Sequence, residues 1–106
     1  MKILITGGAG FLGSEIVDKI LNLKNADLTV IDNLSRGYRQ RINQNIHKIK
    51  FIKADVCKLN ELKLSKFDWI IHSSAIAPLP DNQCNHYNSI VSNIAQCGSI
   101  IDFCIK

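Results

Sequence analysis

Short apolar runs recur along this chain and are separated by segments of mixed polarity. The runs are KILIT (2–6), LTVID (28–32), IKFIKADV (49–56) and FDWIIHSSA (67–75). Runs of this length that are rich in β-branched and aromatic residues are typical of strands. The last run has a nearly unbroken apolar middle, which indicates burial on both faces. The pattern therefore predicts four strands.

Apolar residues return at helical spacing in the segments between and after these runs. From Phe11 to Leu21 they recur every three or four positions, and Asn25 supplies a stop. CKLNELKL (57–64) suits a short helix. After a segment with two prolines, isoleucines at helical spacing mark a final helix over residues 82–105.

Strands and helices alternate in this order, which favours an α/β fold with parallel strands and crossover connections. We expect one Rossmann-type domain over residues 1–106, an incomplete doubly wound sheet of about four strands in the order 3-2-1-4. Such sheets bind ligands in the crevice outside the carboxyl ends of their strands. The unusual residues of this sequence follow the predicted strand ends: glycines after the first, Asp32 after the second, Asp55 after the third and Ser73 to Ala75 after the fourth.

Glycines come directly after the first predicted strand, where a turn without side chains lets a phosphate approach the backbone. Gly7 suits the tight turn, Gly10 leaves room for a pyrophosphate, and Gly13 lets the helix pack closely on the sheet. The helix that begins near Phe11 would direct its free N–H groups at the anion. The spacing is G-x-x-G-x-x-G rather than G-x-G-x-x-G, and a P-loop is excluded because no Gly-Lys-Ser/Thr follows.

Asp32 ends the second predicted strand about 20 residues beyond the glycines, where an acid can bind the hydroxyls of an adenosine ribose. A carboxylate there repels a 2′-phosphate, which favours NAD over NADP. Arg36 complicates this choice, since it can stack on the adenine or reach a 2′-phosphate. The alternative for Asp32 is a role in a turn or as a helix cap.

Composition and charge narrow the function classes. With 46% hydrophobic residues the chain can form a core. No apolar run has the length of a membrane span or of a signal-peptide core. We therefore expect no membrane partner and a cytoplasmic location. The net charge is +4, and the stretch between Asp32 and Asp55 is basic and free of acids. This stretch indicates a solvated face or a phosphorylated ligand; we expect no nucleic acid, because no aromatic platform or helix-turn-helix pattern accompanies it.

The four cysteines have neither metal-knuckle nor redox spacing, and we expect reduced thiols. Cys84 and His86 could begin a metal site, but no further ligands are evident in the sequence, and we predict no bound metal.

The segments ITGGAGFLGSEIV, DNLSRG, ADV and IIHSSAIA resemble, in order and spacing, the extended short-chain dehydrogenase/reductase family, and within it the NAD-dependent sugar-nucleotide epimerases and dehydratases. The resemblance runs over essentially the whole chain. It implies NAD as the cofactor, a nucleotide sugar as the substrate of a full-length member, and hydride transfer between the two.

The resemblance also implies which residues bind the cofactor. In the family the glycine motif holds the pyrophosphate, the acid of DNLSRG holds the ribose, ADV borders the adenine, and the segment after the fourth strand lines the cofactor. Ser73 and Ser74 replace the usual apolar and small residues of that last segment and add hydroxyls beside the ribose or nicotinamide. His72 is interpreted as a buried strand-end residue rather than as an acid or base. The residues expected to bind NAD are Gly7, Gly10, Phe11, Leu12, Gly13, Asp32, Asn33, Ser35, Arg36, Asp55, Val56, Ser73, Ser74, Ala75 and Asn93.

The catalytic pattern of the family, Tyr-x-x-x-Lys, is not matched. Tyr38 and Tyr87 are followed four positions later by Ile42 and Val91. We therefore expect an N-terminal portion of such an enzyme, without the catalytic and substrate-binding region, that binds NAD and lacks turnover. A reductase or dehydrogenase of the same superfamily and a non-catalytic dinucleotide-binding module are the alternatives. An open sheet edge beside the fourth strand further predicts self-association.

Overall fold

The computed structural model of the chain describes residues 1–77 and 86–106. In this part, strands and helices follow one another in the predicted order, with 3-10 turns at Arg39–Arg41, Asn43–Lys48 and Val56–Glu61. The strands are β1 (Lys2–Thr6), β2 (Asp27–Asp32), β3 (Lys50–Lys53) and β4 (Trp69–His72), and the helices are α1 (Phe11–Leu21) and α2 (His86–Ile105).

The strands of the described residues form one parallel sheet in the order β3-β2-β1-β4, which confirms the predicted fold class and strand order. β1 lies inside the sheet, with Leu4 opposite Thr29 of β2 on one side and Ile70 of β4 on the other. Val30 of β2 lies opposite Phe51 of β3. Because all these strands are parallel, their carboxyl ends meet at one edge of the sheet.

The core consists of one hydrophobic cluster on each face of the sheet. Successive strand residues point to opposite faces, so neighbouring residues of β1 and β2 join different clusters. α1 covers one face, and α2 covers the other together with the 3-10 turn at Val56–Glu61. The first cluster contains Ile3, Ile5, Val17, Ile20, Leu28 and Val30, and the second contains Leu4, Ile31, Val56, Leu59 and Ile100.

β3 is shorter than its apolar run predicts, and the element after it is of a different kind. The run covers residues 49–56, but the Asp55 carboxylate accepts a hydrogen bond from the Cys57 N–H at 2.9 Å and caps a 3-10 turn. The predicted short helix over 57–64 is present as a 3-10 helix over Val56–Glu61, which begins one residue earlier and ends three residues earlier than predicted. A local bond from side chain to backbone competes with regular structure at this point.

β4 is also shorter than its run, and the expected burial on both faces is wrong. The Trp69 side chain is 64% exposed, and Ile70 and Ile71 are half-buried. The physical reason is that β4 lies at the edge of the sheet that the described residues form, with β1 as its neighbour. After His72 the chain leaves the sheet, because both the N–H and the hydroxyl of Ser73 donate to the carbonyl of β1's last residue.

α2 turns its most hydrophobic side outward. The isoleucines that predict this helix, Ile90, Ile94, Ile101 and Ile105, are between 57% and 79% exposed. Small or polar residues make up most of its buried side: Ser89, Gln96, Ser99 and Ile100. The start of the predicted helix at 82–85 and the two prolines lie outside the described residues. Within the described residues, neither helix combines the length and apolar character that a membrane crossing needs.

Candidate functional site

A cavity of about 460 Å³ opens at the carboxyl edge of the sheet, where all four strands end. A volume of this size is in the range of small-molecule and cofactor sites. Its wall includes residues that follow each strand and two residues of α2. The lining residues are Gly7, Gly10, Phe11, Asp32, Asn33, Ser35, Arg36, Gly37, Arg41, Ala54, Asp55, Val56, Ser73, Ser74, Ala75, Ile76, Ser92 and Gln96.

The glycines of the first turn differ in what they do for the fold. Gly7 has a φ of 73°, and a Cβ there would lie 2.6 Å from the backbone of Ser74. A Cβ at Gly13 would collide with the carbonyl oxygen of Gly7. A Cβ at Gly10 would meet the Gly7 oxygen alone, at 3.1 Å, and would otherwise project into open space beside the cavity. Gly10 is therefore the glycine of this turn that the protein's own packing needs least.

The amino terminus of α1 supplies hydrogen-bond donors at the same place. The first N–H groups of a helix have no partner within the helix, and among the described residues no side chain caps this one. The first turn carries no acidic residue either. Donors of this kind and the positive end of the helix dipole bind phosphate groups. Together with the missing side chain at Gly10, they can accommodate a diphosphate against the backbone.

Asp32 is 7% exposed and connects the glycine turn to the segment after β2. Its Oδ2 accepts a hydrogen bond from the Ala9 N–H at 3.0 Å, and its Oδ1 accepts one from the Leu34 N–H at 2.8 Å. Leu34 has a φ of 59°, a conformation that is unfavourable for a residue with a side chain. Each carboxylate oxygen has a second lone pair, so Asp32 can hold this loop and still accept a hydrogen bond from a hydroxyl in the cavity.

Two arginines of the basic stretch reach the cavity. Arg36 lines the cavity, and its Nη1 donates to the Ala77 carbonyl in the segment after β4. The Arg41 guanidinium lines the cavity and lies 5.0 Å from the centroid of the Tyr38 ring. These two cations lie on a wall that also carries the Asp32 and Asp55 carboxylates, and they can attract the phosphate groups of a ligand.

The third strand contributes the wall beyond Asp32. Ala54, Asp55 and Val56 line the cavity. The Asp55 carboxylate holds the 3-10 turn, and burial together with this neighbouring negative charge raises the pKa of the Cys57 thiol. The thiol is therefore protonated at neutral pH, as the expected idle role requires.

The hydroxyls after β4 are bound within the protein. Ser73 donates its hydroxyl to the Thr6 carbonyl at 2.7 Å, and Ser74 donates to the Gln96 Oε1 at 2.7 Å. Both serines line the cavity as predicted, but their hydroxyls serve first to hold the strand end. His72 bonds to the Thr6 hydroxyl through Nδ1 at 2.8 Å, and partial burial lowers its pKa. His72 therefore ends β4 as interpreted, but the expected burial is wrong: the residue is exposed, since β4 lies at the edge of the sheet that the described residues form.

Asn93 has a different position from the one predicted. Its side chain accepts from the Ile76 N–H at 2.8 Å and donates to the Ile76 carbonyl at 3.1 Å. These two bonds attach the segment after β4 to α2 and leave Asn93 outside the cavity wall. Two other residues of α2, Ser92 and Gln96, line the cavity instead.

The structure brings most of the predicted site residues together. Three predicted residues lie outside the wall: Asn93, Leu12 and Gly13. Leu12 is expected to contribute through its backbone groups, and Gly13 through the close packing of α1 on the sheet. The sequence prediction missed six residues of the wall. The sequence does indicate that Ser92 and Gln96 share one face of α2, because they are one helical turn apart. The six are Gly37, Arg41, Ala54, Ile76, Ser92 and Gln96.

The cysteines form no site in the described part of the chain. Cys57, Cys97 and Cys104 are free and exposed there. No group of three or more metal-binding side chains occurs among the described residues. Cys84, which was considered as a ligand together with His86, lies outside them.

A parallel sheet in this order, with a glycine turn before α1 and an acid at the end of β2, defines a Rossmann-type domain. The chain belongs to the 3-beta hydroxysteroid dehydrogenase/isomerase family, whose sequence model matches residues 4–106. This confirms the resemblance to the extended short-chain dehydrogenases and reductases.

Similar proteins are named for UDP-sugars or were solved with UDP bound. The UDP-Glc/GlcNAc 4-epimerase from Campylobacter jejuni matches with a TM-score of 0.85 and 28% identity over 98% of this chain and 33% of that one. The Bordetella bronchiseptica enzyme WbmG, solved in complex with NAD and UDP, matches with a TM-score of 0.70 and 26% identity over 92% of this chain and 31% of that one. UDP-glucuronic acid decarboxylase 3 of Arabidopsis thaliana is 33% identical over 96 residues, which are 89% of this chain and 27% of that protein. The chain thus spans between 27% and 33% of the length of these proteins.

Proposed function

We propose that this chain binds NAD in the cavity at the carboxyl edge of its sheet. The observation that carries the proposal is Gly10: its missing side chain opens space that the fold itself hardly needs, directly beside the uncapped amino terminus of α1. A site that is open at the backbone and rich in N–H donors suits a diphosphate. The complex of WbmG with NAD supports the same ligand.

The strand order supports a proposed arrangement of the dinucleotide along the wall. The diphosphate lies at the turn after β1, and the adenosine lies toward the ends of β2 and β3, where Asp32 accepts from the ribose hydroxyls. Asp55 and Val56 border the adenine side. The nicotinamide half then faces Ser73, Ser74 and α2 beyond β4. The Asp32 carboxylate disfavours a 2′-phosphate, so we expect NAD to bind more tightly than NADP.

We further propose that the chain is the cofactor-binding part of a nucleotide-sugar epimerase, decarboxylase or dehydratase. Bound NAD supplies a nicotinamide that takes up and returns a hydride. This chain's own residues hold and orient the dinucleotide, and Arg36 connects the segment after β2 to the segment after β4 beside the site. The 106 residues contain no Tyr-x-x-x-Lys, so they lack the family's acid and base, and we expect binding without turnover.

The family description favours a second candidate, a dehydrogenase that oxidises a hydroxyl group of another substrate class. The cofactor site serves both candidates equally, because both reactions transfer a hydride to NAD. The two candidates differ in their substrate class, which depends on the substrate-binding region that this chain is expected to lack.

Isothermal titration of the purified chain with NAD and NADP tests the proposed cofactor binding. We expect saturable NAD binding that is tighter than NADP binding. No binding of NAD at millimolar concentration would contradict the proposed function. A coupled assay with UDP-glucose and NAD should show no product, and clear conversion would contradict the proposed lack of turnover.

A further inference from the structure

A buried polar cluster joins α2 to the ends of β1 and β4. Gln96 is 7% exposed, and its Oε1 lies 2.7 Å from the Ser74 hydroxyl. That hydroxyl lies 3.1 Å from the Thr6 hydroxyl and 3.2 Å from the Nδ1 of His72. The Nε2 of Gln96 donates to the Ser92 hydroxyl at 3.3 Å. Buried polar groups connected in this way favour one arrangement of the elements that carry them.

The protons of the cluster give the bonds a direction. A serine hydroxyl has a single proton to donate. The Gln96 Oε1 is the shortest contact of the Ser74 hydroxyl and has no proton of its own, so Ser74 donates to Gln96. Thr6 or His72 can then donate to the free lone pairs of Ser74. Gln96 is thus the final acceptor of a chain of hydrogen bonds that begins at the strand ends.

The position of the cluster relates it to one half of the ligand. β4 lies on the opposite side of β1 from β2. With the adenosine at the β2 side and the diphosphate at the turn after β1, the remaining half of a dinucleotide meets the β4 end, where Ser74, Ser92 and Gln96 line the cavity. At the β4 end of the cavity, the width is the distance between β4 and α2. The hydrogen bond between Ser74 and Gln96 joins these two elements.

The other half of the site is held independently of Gln96. The glycine turn rests on the Ser74 backbone at Gly7, and the Ser73 N–H and hydroxyl both bond to the Thr6 carbonyl. These contacts join β4 to β1 without α2. Loss of the Gln96 bond is therefore expected to widen the β4 end and to leave the turn after β1 unchanged.

We propose that Gln96 is a positioning residue for the nicotinamide half of the dinucleotide, acting through Ser74; this inference rests on the proposed NAD binding. The bond from Ser74 to Gln96 fixes α2 at the end of β4, and the two bonds between Asn93 and Ile76 attach α2 to the segment further along. The nicotinamide ribose and ring bind at the end that Ser74 and Gln96 hold. A chain without this bond binds the adenosine diphosphate half as before and loses affinity for the complete dinucleotide.

Titration of the 106-residue chain with NAD and with ADP tests the inference. Gln96→Met keeps the length of the side chain and removes the acceptor, and we expect NAD affinity to fall about tenfold, the effect of one hydrogen bond. The affinity for ADP should change less than about twofold. Ser74→Ala removes the same bond by deleting one oxygen atom, and it gives the same comparison if Gln96→Met does not fold. The double variant should bind NAD no more weakly than the weaker single variant, because both changes remove one bond.

Ser99→Ala is the matched control. Ser99 is also a buried polar residue of α2, but its carbonyl bonds to the Asn60 side chain, away from the cavity. This variant should leave both affinities unchanged. Equal losses for NAD and ADP in Gln96→Met, additive losses in the double variant, or no loss at all would each overturn the inference. Failure of the wild-type chain to bind either ligand would instead contradict the proposed function.

Discussion

Gly10→Ala is expected to weaken ligand binding while it leaves the stability of the fold nearly unchanged. Gly10 has φ −74° and ψ 174°, an extended conformation that alanine adopts without strain. The new Cβ would meet the Gly7 oxygen at 3.1 Å, so a shift of a few tenths of an ångström accommodates it. Beyond this contact the methyl group projects beside the cavity, where the diphosphate is expected to lie against the backbone.

The two effects of this substitution differ in size. Alanine in place of glycine at a compatible position stabilises a protein by about 0.4–1 kcal/mol, and the close contact with Gly7 offsets part of this. We therefore expect the free energy of unfolding to change by less than about 1 kcal/mol. One hydrogen bond to a charged group contributes about 1.5–3 kcal/mol. Displacing the diphosphate from even one N–H donor should thus weaken NAD binding about ten- to hundredfold.

Calorimetric titration with NAD and thermal melting by circular dichroism measure the two effects in one protein sample. Gly98→Ala in α2 is the control, since a Cβ there has no atom within 4 Å and Gly98 is not one of the lining residues of the cavity. It should raise the melting temperature and leave NAD affinity unchanged. Wild-type affinity in a folded Gly10→Ala variant would refute the assignment of the turn to a diphosphate.

Two further predictions concern stability and association. Partial burial lowers the pKa of His72 below its ordinary value of 6.5, so on acidification the unfolded chain binds this proton before the folded chain does. The contribution of His72 to stability is therefore complete above pH 6.5 and is lost as the pH falls through the lower folded pKa. The difference between the urea midpoints at neutral and mildly acid pH should be smaller in His72→Asn than in wild type. The edge strand β4, whose Trp69 is 64% exposed, is expected to promote self-association. Trp69→Lys should lower the association constant measured by sedimentation, whereas Leu23→Lys, at a 52% exposed position outside the sheet, should not. A monomeric wild-type chain would contradict this prediction.

The parts of the fold that follow from local pattern were predictable from the sequence. β1 has the predicted bounds, β2 begins one residue early, and α1 covers the predicted periodic segment. The errors arise where a side chain captures a backbone group. The Asp55 carboxylate ends the extended run after β3, and Ser73 ends the run after β4 by bonding to the Thr6 carbonyl. An apolar pattern carries no signal for such bonds.

The candidate site was predictable to the extent that strand order determines it. A 3-2-1-4 order brings Gly10, Asp32, Asp55 and Ser74 to one edge regardless of side-chain detail. The contribution of α2 depends on which of its faces packs inward. Its isoleucines indicate one face, whereas the structure buries the face that carries Gln96. Tertiary packing decides this rotation, and hydrophobic spacing alone gives no information about it.

Many of the residues that suggest a nucleotide site in this sequence also serve the fold. Gly7 and Gly13 are required by contacts within the protein, and both carboxylate oxygens of Asp32 bind backbone N–H groups. A loss of binding in Asp32→Ala would therefore follow equally from a missing ribose contact and from a displaced loop. Gly10 is different, because the fold gains little from its lack of a side chain. For this reason the affinity of the Gly10→Ala variant, compared with its own stability, distinguishes a nucleotide-binding turn from a turn that is merely tight.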